Sequence, residues 1–192
     1  MTADSAPVSG RPRTFESPLE VVECWGAVSR RLPLLAGVYF GNLLDRPLRE
    51  RVMVAVSRSN ACAGCTAVHQ RWALRAGVTA AELAAIGVGE LAVLDHRSRA
   101  AVVYATALAE SGFRGGDDEL VSLVQPHLTD GELRAVEAVA RAIALANLTV
   151  NSIRASVPRR VSVSGCTRRS DRTAATRSRR GDAVEREVEQ LR

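Results

Sequence analysis

Apolar residues recur at three- and four-residue spacing along most of the chain up to about residue 157, and this period is typical of amphipathic helices. Several polar signals mark where helices begin. Ser17 followed by Pro18 suits a helix start, with serine as the N-cap and proline at the first helical position. The segments Thr79-Ala-Ala-Glu82 and Thr129-Asp-Gly-Glu132 match the capping box. Either Asp95 or Ser98 could cap a further helix. The pattern therefore predicts an all-α fold.

One segment, Leu48 to Ser57, is ambiguous. Its centre, Val52-Met-Val-Ala-Val56, is rich in β-branched residues and would suit a buried strand. We predict a helix, because the sequence offers no convincing partner strand and a lone strand leaves its backbone groups unsatisfied. A second helix is predicted from Cys62 to Ala76, after a tight turn at Asn60. Two such helices fold back as an antiparallel hairpin.

Composition divides the 192 residues into one domain and two tails. Residues 1–14 are rich in Pro, Ser and Ala and are expected to be disordered. Residues 15–157 are expected to form the helical domain. Residues 158–192 are dominated by Arg, Ser and Thr and are expected to be a disordered tail. The first residues lack the apolar core of a signal peptide and no apolar run is long enough for a membrane span. We therefore expect a cytoplasmic protein that does not contact membranes.

The net charge of +5 comes from the tail. Residues 1–157 contain 16 arginines and 16 acidic residues, whereas residues 158–192 contain ten arginines and five acidic residues. The helical domain therefore has no electrostatic preference for nucleic acid, and the tail lacks aromatic residues or a motif that would give specificity, so we do not expect nucleic-acid binding. All 26 basic residues are arginine, which excludes lysine Schiff bases and a P-loop. We expect no cofactor.

The candidate chemistry lies within the predicted hairpin. Cys62 and Cys65 form a Cys-x-x-Cys pair, His69 follows four residues later, and Glu50 stands twelve residues before the first cysteine. At 1.5 Å per residue, the glutamate lies about 13 Å and the histidine about 11 Å from the turn, so both reach nearly the same height. Cys65 and His69 share a helix face, and the two cysteines are close enough for a disulfide. A thiol pair, a proton-transferring histidine and a carboxylate to hold it would suit redox chemistry.

The sequence leaves open which cysteine would attack as the thiolate. The positive end of the helix favours Cys62, whereas the histidine is better placed to deprotonate Cys65. Other interpretations also compete. The cysteines could be an inert buried pair or, with His69, three ligands of a zinc site, although the other two cysteines are isolated and offer no second ligand cluster. Glu50 alone would be read as an ion pair with a neighbouring arginine.

The other candidate residues have simpler interpretations. His96 and His127 stand at predicted helix boundaries and suit surface or capping positions. Trp72 suits the core or a subunit interface, and Cys24 suits the core. Cys166 lies in the predicted tail, where it would be an exposed free thiol.

At these spacings the glutamate, the cysteine pair and the histidine resemble the signature of the carboxymuconolactone decarboxylase superfamily, and within it the alkylhydroperoxidase AhpD-like branch. Residues 49–57 resemble the family's arginine-glutamate entry helix, and residues 68–83 are similar to the segment that follows the family's site. The similarity covers about residues 30–157. One departure stands between the cysteines, where Ala63 and Gly64 replace the bulkier or polar residues of many relatives.

The resemblance implies an AhpD-like helical bundle that assembles as a homo-oligomer, either a trimer or a multiple of trimers. It implies an alkylhydroperoxidase-like oxidoreductase, with Cys65 as the peroxidatic cysteine and Cys62 resolving its sulfenic acid as a disulfide. Glu50 and His69 would form the proton relay. The partners would be a hydroperoxide substrate and a dithiol reductant, such as a lipoyl group on another protein.

Two other functions are compatible with the same residues. A lyase or isomerase acting on a small cyclic acid, as in the decarboxylases that name the superfamily, would need proton transfer but no thiols. A non-catalytic oligomer could instead use the cysteine pair as a redox sensor.

Overall fold

The computed structural model of the chain describes residues 10–113 and 118–157. Within these residues the regular structure is entirely helical, so the predicted all-α fold is confirmed for them. The helices are α1 (Pro18–Ser29), α2 (Leu32–Phe40), α3 (Arg46–Ser59), α4 (Ala63–Arg75), α5 (Ala80–Val88), α6 (His96–Glu110), α7 (Asp118–Val124) and α8 (Asp130–Ser156). Two short 3-10 helices occupy Leu91–Val93 and Gln125–His127. None of the helices described is both long enough and apolar enough to cross a bilayer.

The predicted capping residues begin the helices. Ser17 accepts a backbone N–H at the start of α1, and both capping boxes are complete. In each box, Thr79 or Thr129 accepts the N–H of a glutamate three residues later, and that glutamate accepts the threonine's own N–H. Of the two candidates for α6, Asp95 is the cap, and its carboxylate accepts the N–H of Ser98 at 3.0 Å. Local polar signals thus set these helix starts.

The ambiguous β-branched segment belongs to α3, which packs against α4, α5, α6 and α8. Every residue from 52 to 58 is buried, including Val52, Val54 and Val56, which are fully enclosed. A helix surrounded on all sides loses the polar face that marks a surface helix. For that reason its sequence resembles a buried strand. The helical form satisfies the backbone groups within the segment.

A tight turn joins α3 to α4 and makes them a hairpin. Asn60 ends α3, and Ala61 adopts a φ of 50°, a left-handed conformation that costs a residue with a Cβ about 1–2 kcal/mol. The N–H of Cys62 then donates to the carbonyl of Ser57 at 2.9 Å, which closes the end of α3. Cys62 is the N-cap of α4, so this helix begins at Ala63, one residue later than predicted.

The last third of α8 and a short N-terminal segment hold this turn. The side-chain amide of Asn151 donates to the carbonyls of Asn60 and Arg13, both at 2.9 Å. The N–H of Arg13 donates to the same Asn60 carbonyl at 3.1 Å. One turn earlier on α8, Asn147 accepts a hydrogen bond from the Ser57 hydroxyl at 3.3 Å. The turn is therefore fixed by tertiary contacts as well as by its own backbone.

The N-terminal segment packs against the helical domain from an earlier residue than the sequence predicts. Disorder was predicted for residues 1–14, but Arg13 is bonded to the turn, and the N–H of Phe15 donates to Ser152 at 3.1 Å. Packing against the helical domain therefore begins before residue 15. The first nine residues and the predicted tail, residues 158–192 with its cysteine, lie outside the described residues.

Candidate active site

Glu50 and His69 meet across the hairpin. Glu50 lies on α3 and is 3% exposed, and His69 lies on the buried face of α4 and is 8% exposed. Oε2 of the carboxylate lies 3.2 Å from Nδ1 of the imidazole. The two side chains therefore lie at matching heights, as the helical rise predicts. When Nδ1–H donates to the carboxylate, Nε2 is left as the acceptor that can take up another proton.

The second oxygen of Glu50 faces an arginine. Oε1 lies 3.7 Å from Nη2 of Arg49. The guanidinium also donates to the carbonyl of Val38 at 3.3 Å and lies 4.6 Å from the ring centroid of Tyr39. Burial raises the pKa of the Tyr39 phenol, with Arg49 opposing the shift. The ion pair considered for Glu50 alone is thus present together with the histidine contact, and each uses a different carboxylate oxygen.

Trp72 forms one wall beside His69. The two rings meet edge to face, with centroids 5.2 Å apart and planes at 88°. Trp72 is 44% exposed, so it is not a core residue within the described chain. Its remaining predicted role, at a subunit interface, stays a prediction. The contact limits the orientations open to the imidazole and places an aromatic surface at the solvent side of the pair.

Cys62 and Cys65 are joined as a disulfide, with their Cα atoms 5.4 Å apart. Cys62 is fully buried, whereas Cys65 is partly exposed in the first turn of α4. The positive end of a helix acts on its whole first turn. The helix end therefore acts on both Cys65 and the N-cap Cys62, whereas only Cys65 lies one turn from His69 within the same helix. Cys65 is also not fully buried, unlike Cys62.

The zinc interpretation would need both cysteine sulfurs as thiolates. In this structure Cys62 and Cys65 are bonded to each other. Across residues 10–113 and 118–157, no group of three or more histidine, cysteine or acidic side chains is arranged to hold a metal ion.

The sequence predictions missed two supports of the site: the contact of Trp72 with His69, and two asparagines of α8. Trp72 stands three residues after His69, a helical-neighbour spacing that could have indicated their contact. Asn147 and Asn151 interrupt an apolar stretch of α8 at a spacing of four, and both are buried. Polar residues within a buried face usually have hydrogen-bonding roles, so this signal was also available.

The remaining candidate residues lie outside this arrangement. The rings of His96 and His127 stack on each other, with centroids 5.5 Å apart. Cys24 is partly buried, not fully buried as predicted, and lines a cavity of about 370 Å³ beside α1 and α8. Burial, followed by the charge of Glu20, raises the pKa of its thiol, which keeps the thiol protonated near neutral pH and weakly nucleophilic. The cavity lining includes Arg13 and none of the four predicted site residues.

The sequence was compared with protein families, curated proteins and solved structures. No curated protein and no solved structure gave a significant match. The family model described as "Carboxymuconolactone decarboxylase family" matches residues 27–107. This match runs from the end of α1 into α6 and includes the whole hairpin, but it ends before α8, whereas the resemblance was expected to extend to about residue 157. Residues 27–107 are therefore similar to the carboxymuconolactone decarboxylase family, over a little less than half of the 192 residues.

Proposed function

We propose that this protein is a thiol-dependent peroxidase that reduces alkyl hydroperoxides by cycling Cys62 and Cys65 between dithiol and disulfide. The observation that carries the proposal is the 3.2 Å contact between Glu50 and His69, on the hairpin whose turn leads into the disulfide. Thiols, a proton-accepting ring nitrogen and a carboxylate that orients the ring are the groups that peroxide reduction needs. The match of residues 27–107 to the family is compatible with this chemistry and with others.

In the proposed cycle, Cys65 attacks first. His69 takes the thiol proton, and the thiolate sulfur attacks one oxygen of the hydroperoxide. The oxygen–oxygen bond breaks, Cys65 becomes a sulfenic acid, and the alkoxide takes a proton and leaves as an alcohol. The Cys62 thiol then attacks the sulfenic sulfur, which forms the disulfide and releases water. The partial exposure of Cys65 beside the fully buried Cys62 supports this order.

Glu50 would act through the histidine. A carboxylate bonded to Nδ1 fixes the tautomer that leaves Nε2 free to accept a proton, and it stabilises the imidazolium that forms. The Arg49 contact on the other carboxylate oxygen would hold Glu50 in place during this transfer. The burial of the pair strengthens these interactions by excluding water.

A dithiol would complete the cycle by returning two electrons to the disulfide. A lipoyl group on a partner protein would meet this need, because its two sulfurs can form a ring disulfide as they reduce the protein. We also propose assembly as a homo-oligomer, a trimer or a multiple of trimers. Large apolar side chains at the surface of α1 and α2 support assembly, with Trp25 58%, Leu32 58% and Phe40 92% exposed. Such exposed surface is typical of interfaces.

The test compares two single-cysteine variants in one assay. Dihydrolipoamide is supplied as the reductant and an alkyl hydroperoxide as the substrate. We expect Cys65→Ser to abolish peroxide consumption, because the attacking sulfur is lost. We expect Cys24→Ser to retain it, since Cys24 lies in the separate cavity. One equivalent of peroxide should lower the free thiols of the reduced wild-type chain from four to two, given its four cysteines.

Full peroxide consumption by Cys65→Ser would refute the proposal. A lyase acting on a small cyclic acid would then gain support if thiol alkylation left its turnover intact, because that reaction needs only proton transfer. Reversible disulfide formation without turnover, tested with several dithiols, would instead favour a redox-sensing role.

A further inference from the structure

One face of α8 runs along the α3–α4 hairpin towards the residues of the disulfide. Asn147, Asn151 and Arg154 are spaced by four and three residues and therefore lie on one face of the helix. The first contacts Ser57 at the end of α3, and the second contacts Asn60 in the turn. Continuing along this face leads towards the first turn of α4, which carries the cysteines.

Arg154 reaches that first turn at Gly64, the residue directly before Cys65. A Cβ atom added to Gly64 would lie 3.6 Å from Nη1 of Arg154. This is an ordinary van der Waals distance, so the guanidinium lies close to the backbone between the two cysteines.

No carboxylate among the described residues balances the charge of Arg154. Within residues 10–113 and 118–157, its side chain makes no hydrogen bond or ion pair. Its position in the last turn of α8 is favourable, because a cation complements the negative end of a helix. Beside the positive end of α4, the same positive charge is unfavourable. An anion in the first turn of α4 would make this second contact favourable.

We propose that Arg154 is a positioning residue that stabilises the thiolate of Cys65 in the reduced protein. The inference rests on the proposed function for the identity of the attacking cysteine. Both the disulfide and the thiol are neutral, whereas the thiolate carries a full charge, so the arginine acts on the state that attacks. A nearby guanidinium favours the thiolate form, and it adds to the helix end and to the proton acceptor His69.

The test measures thiolate formation without any peroxide. The full chain is reduced and desalted, iodoacetamide is added over a range of pH, and the alkylation rate of Cys65 is followed by peptide mass spectrometry. Arg154→Gln should raise the midpoint of this pH profile by about 0.5–1 unit, as expected for the loss of one nearby charge at a partly exposed site. Arg154→Lys should restore most of the shift.

The matched control is Arg75→Gln, which removes the same charge from the exposed opposite end of α4. Its profile should coincide with that of the wild type, and thermal unfolding should show both variants folded. If Arg154 serves only the end of α8, Arg154→Gln will lower the melting temperature and leave the profile unchanged, which overturns the inference. A shift as large in Arg75→Gln would also overturn it, because the effect would then be one of net charge.

A second measurement needs no variant, so the inference can be tested even if Arg154→Gln does not fold. Raising the salt concentration from about 0.02 M to about 0.5 M shortens the screening length several-fold and should raise the midpoint for the wild type. No movement of the midpoint would count against the inference. Failure of the proposed function is separate: Cys65→Ser would then consume peroxide, whatever the alkylation profile of Arg154→Gln.

Discussion

Two consecutive residues of α3 make buried charged contacts with different helices, and the contacts differ in kind. Glu50 reaches His69 on α4, with 3.2 Å between Oε2 and Nδ1. Arg51 reaches Glu82 on α5, with 2.6 Å between Nη2 and Oε1. The side chains in both pairs are no more than 13% exposed. Burial and ion pairing alone therefore do not separate a candidate catalytic pair from a structural one.

The difference lies in what else binds each partner. Glu82 is also the capping-box glutamate of α5, and its Oε2 accepts the N–H and the hydroxyl of Thr79 at 2.7 and 2.9 Å. Burial raises the pKa of Glu82, but the hydrogen bonds from Thr79 and Arg51 outweigh it and hold the pKa below its usual 4.5. This carboxylate stays charged and fully bonded. His69, by contrast, keeps one ring nitrogen outside its pair with Glu50, where a proton can be exchanged.

The largest expected effect comes from removing the charge of Glu50 in the candidate catalytic pair. Glu50→Gln keeps the shape of the side chain but removes the charge that stabilises an imidazolium. We expect peroxide reduction to slow by about 100-fold to 10,000-fold, the usual range for loss of acid–base catalysis. Stopped-flow measurement of disulfide formation with one equivalent of peroxide would report the rate. A variant that reacts within threefold of the wild type would remove Glu50 from the relay.

An intermediate effect is expected from Glu82→Gln. The amide cannot replace a carboxylate that accepts three hydrogen bonds, so the free energy of unfolding should fall by about 1–2 kcal/mol, as for the loss of a cap and a partly buried charged hydrogen bond. Urea unfolding measures this change. Peroxide turnover of the folded variant should stay within twofold of the wild type. A large loss of turnover without destabilisation would contradict the structural role given to the Arg51–Glu82 pair.

The smallest of the expected effects is a change in how the free energy of unfolding depends on pH. The folded pKa of Glu82 lies below its usual 4.5, so its contribution is fully present above about pH 4.5 and is lost as the pH falls through the folded value. Glu132 in the other capping box is lowered in the same way by bonds from Thr129 and Arg97, which outweigh its burial. The urea midpoint should therefore fall between about pH 5 and pH 3. Glu82→Gln should make this fall shallower, and an equally steep fall would contradict the assignment.

The sequence was most informative where the determinants are local. The capping boxes predicted the starts of α5 and α8 because each needs only residues three apart. The matching heights of Glu50 and His69 followed from helical rise and a short turn. This also explains why the hairpin could be derived before the rest of the bundle.

Contacts between residues distant in sequence could not be derived in this way. Nothing in the sequence selects Arg51 from 26 arginines as the partner of Glu82, because that choice depends on how α3 and α5 pack. The position of Arg154 close to Gly64 in the first turn of α4 likewise depends on the path of α8, 90 residues further along the chain. The left-handed Ala61 was also unforeseen, since alanine rarely adopts that conformation and is held there by the bonds around Asn60.

The carbonyl oxygen of Asn60 accepts two hydrogen bonds, one from the backbone N–H of Arg13 and one from the side-chain amide of Asn151. A peptide plane anchored in this way resists rotation. When the bond between the sulfurs opens, we therefore expect the motion to be taken up by the first turn of α4 and not by the loop before it. The scaffold behind the glutamate would stay still through oxidation and reduction, so each round would start from the same geometry without refolding the hairpin.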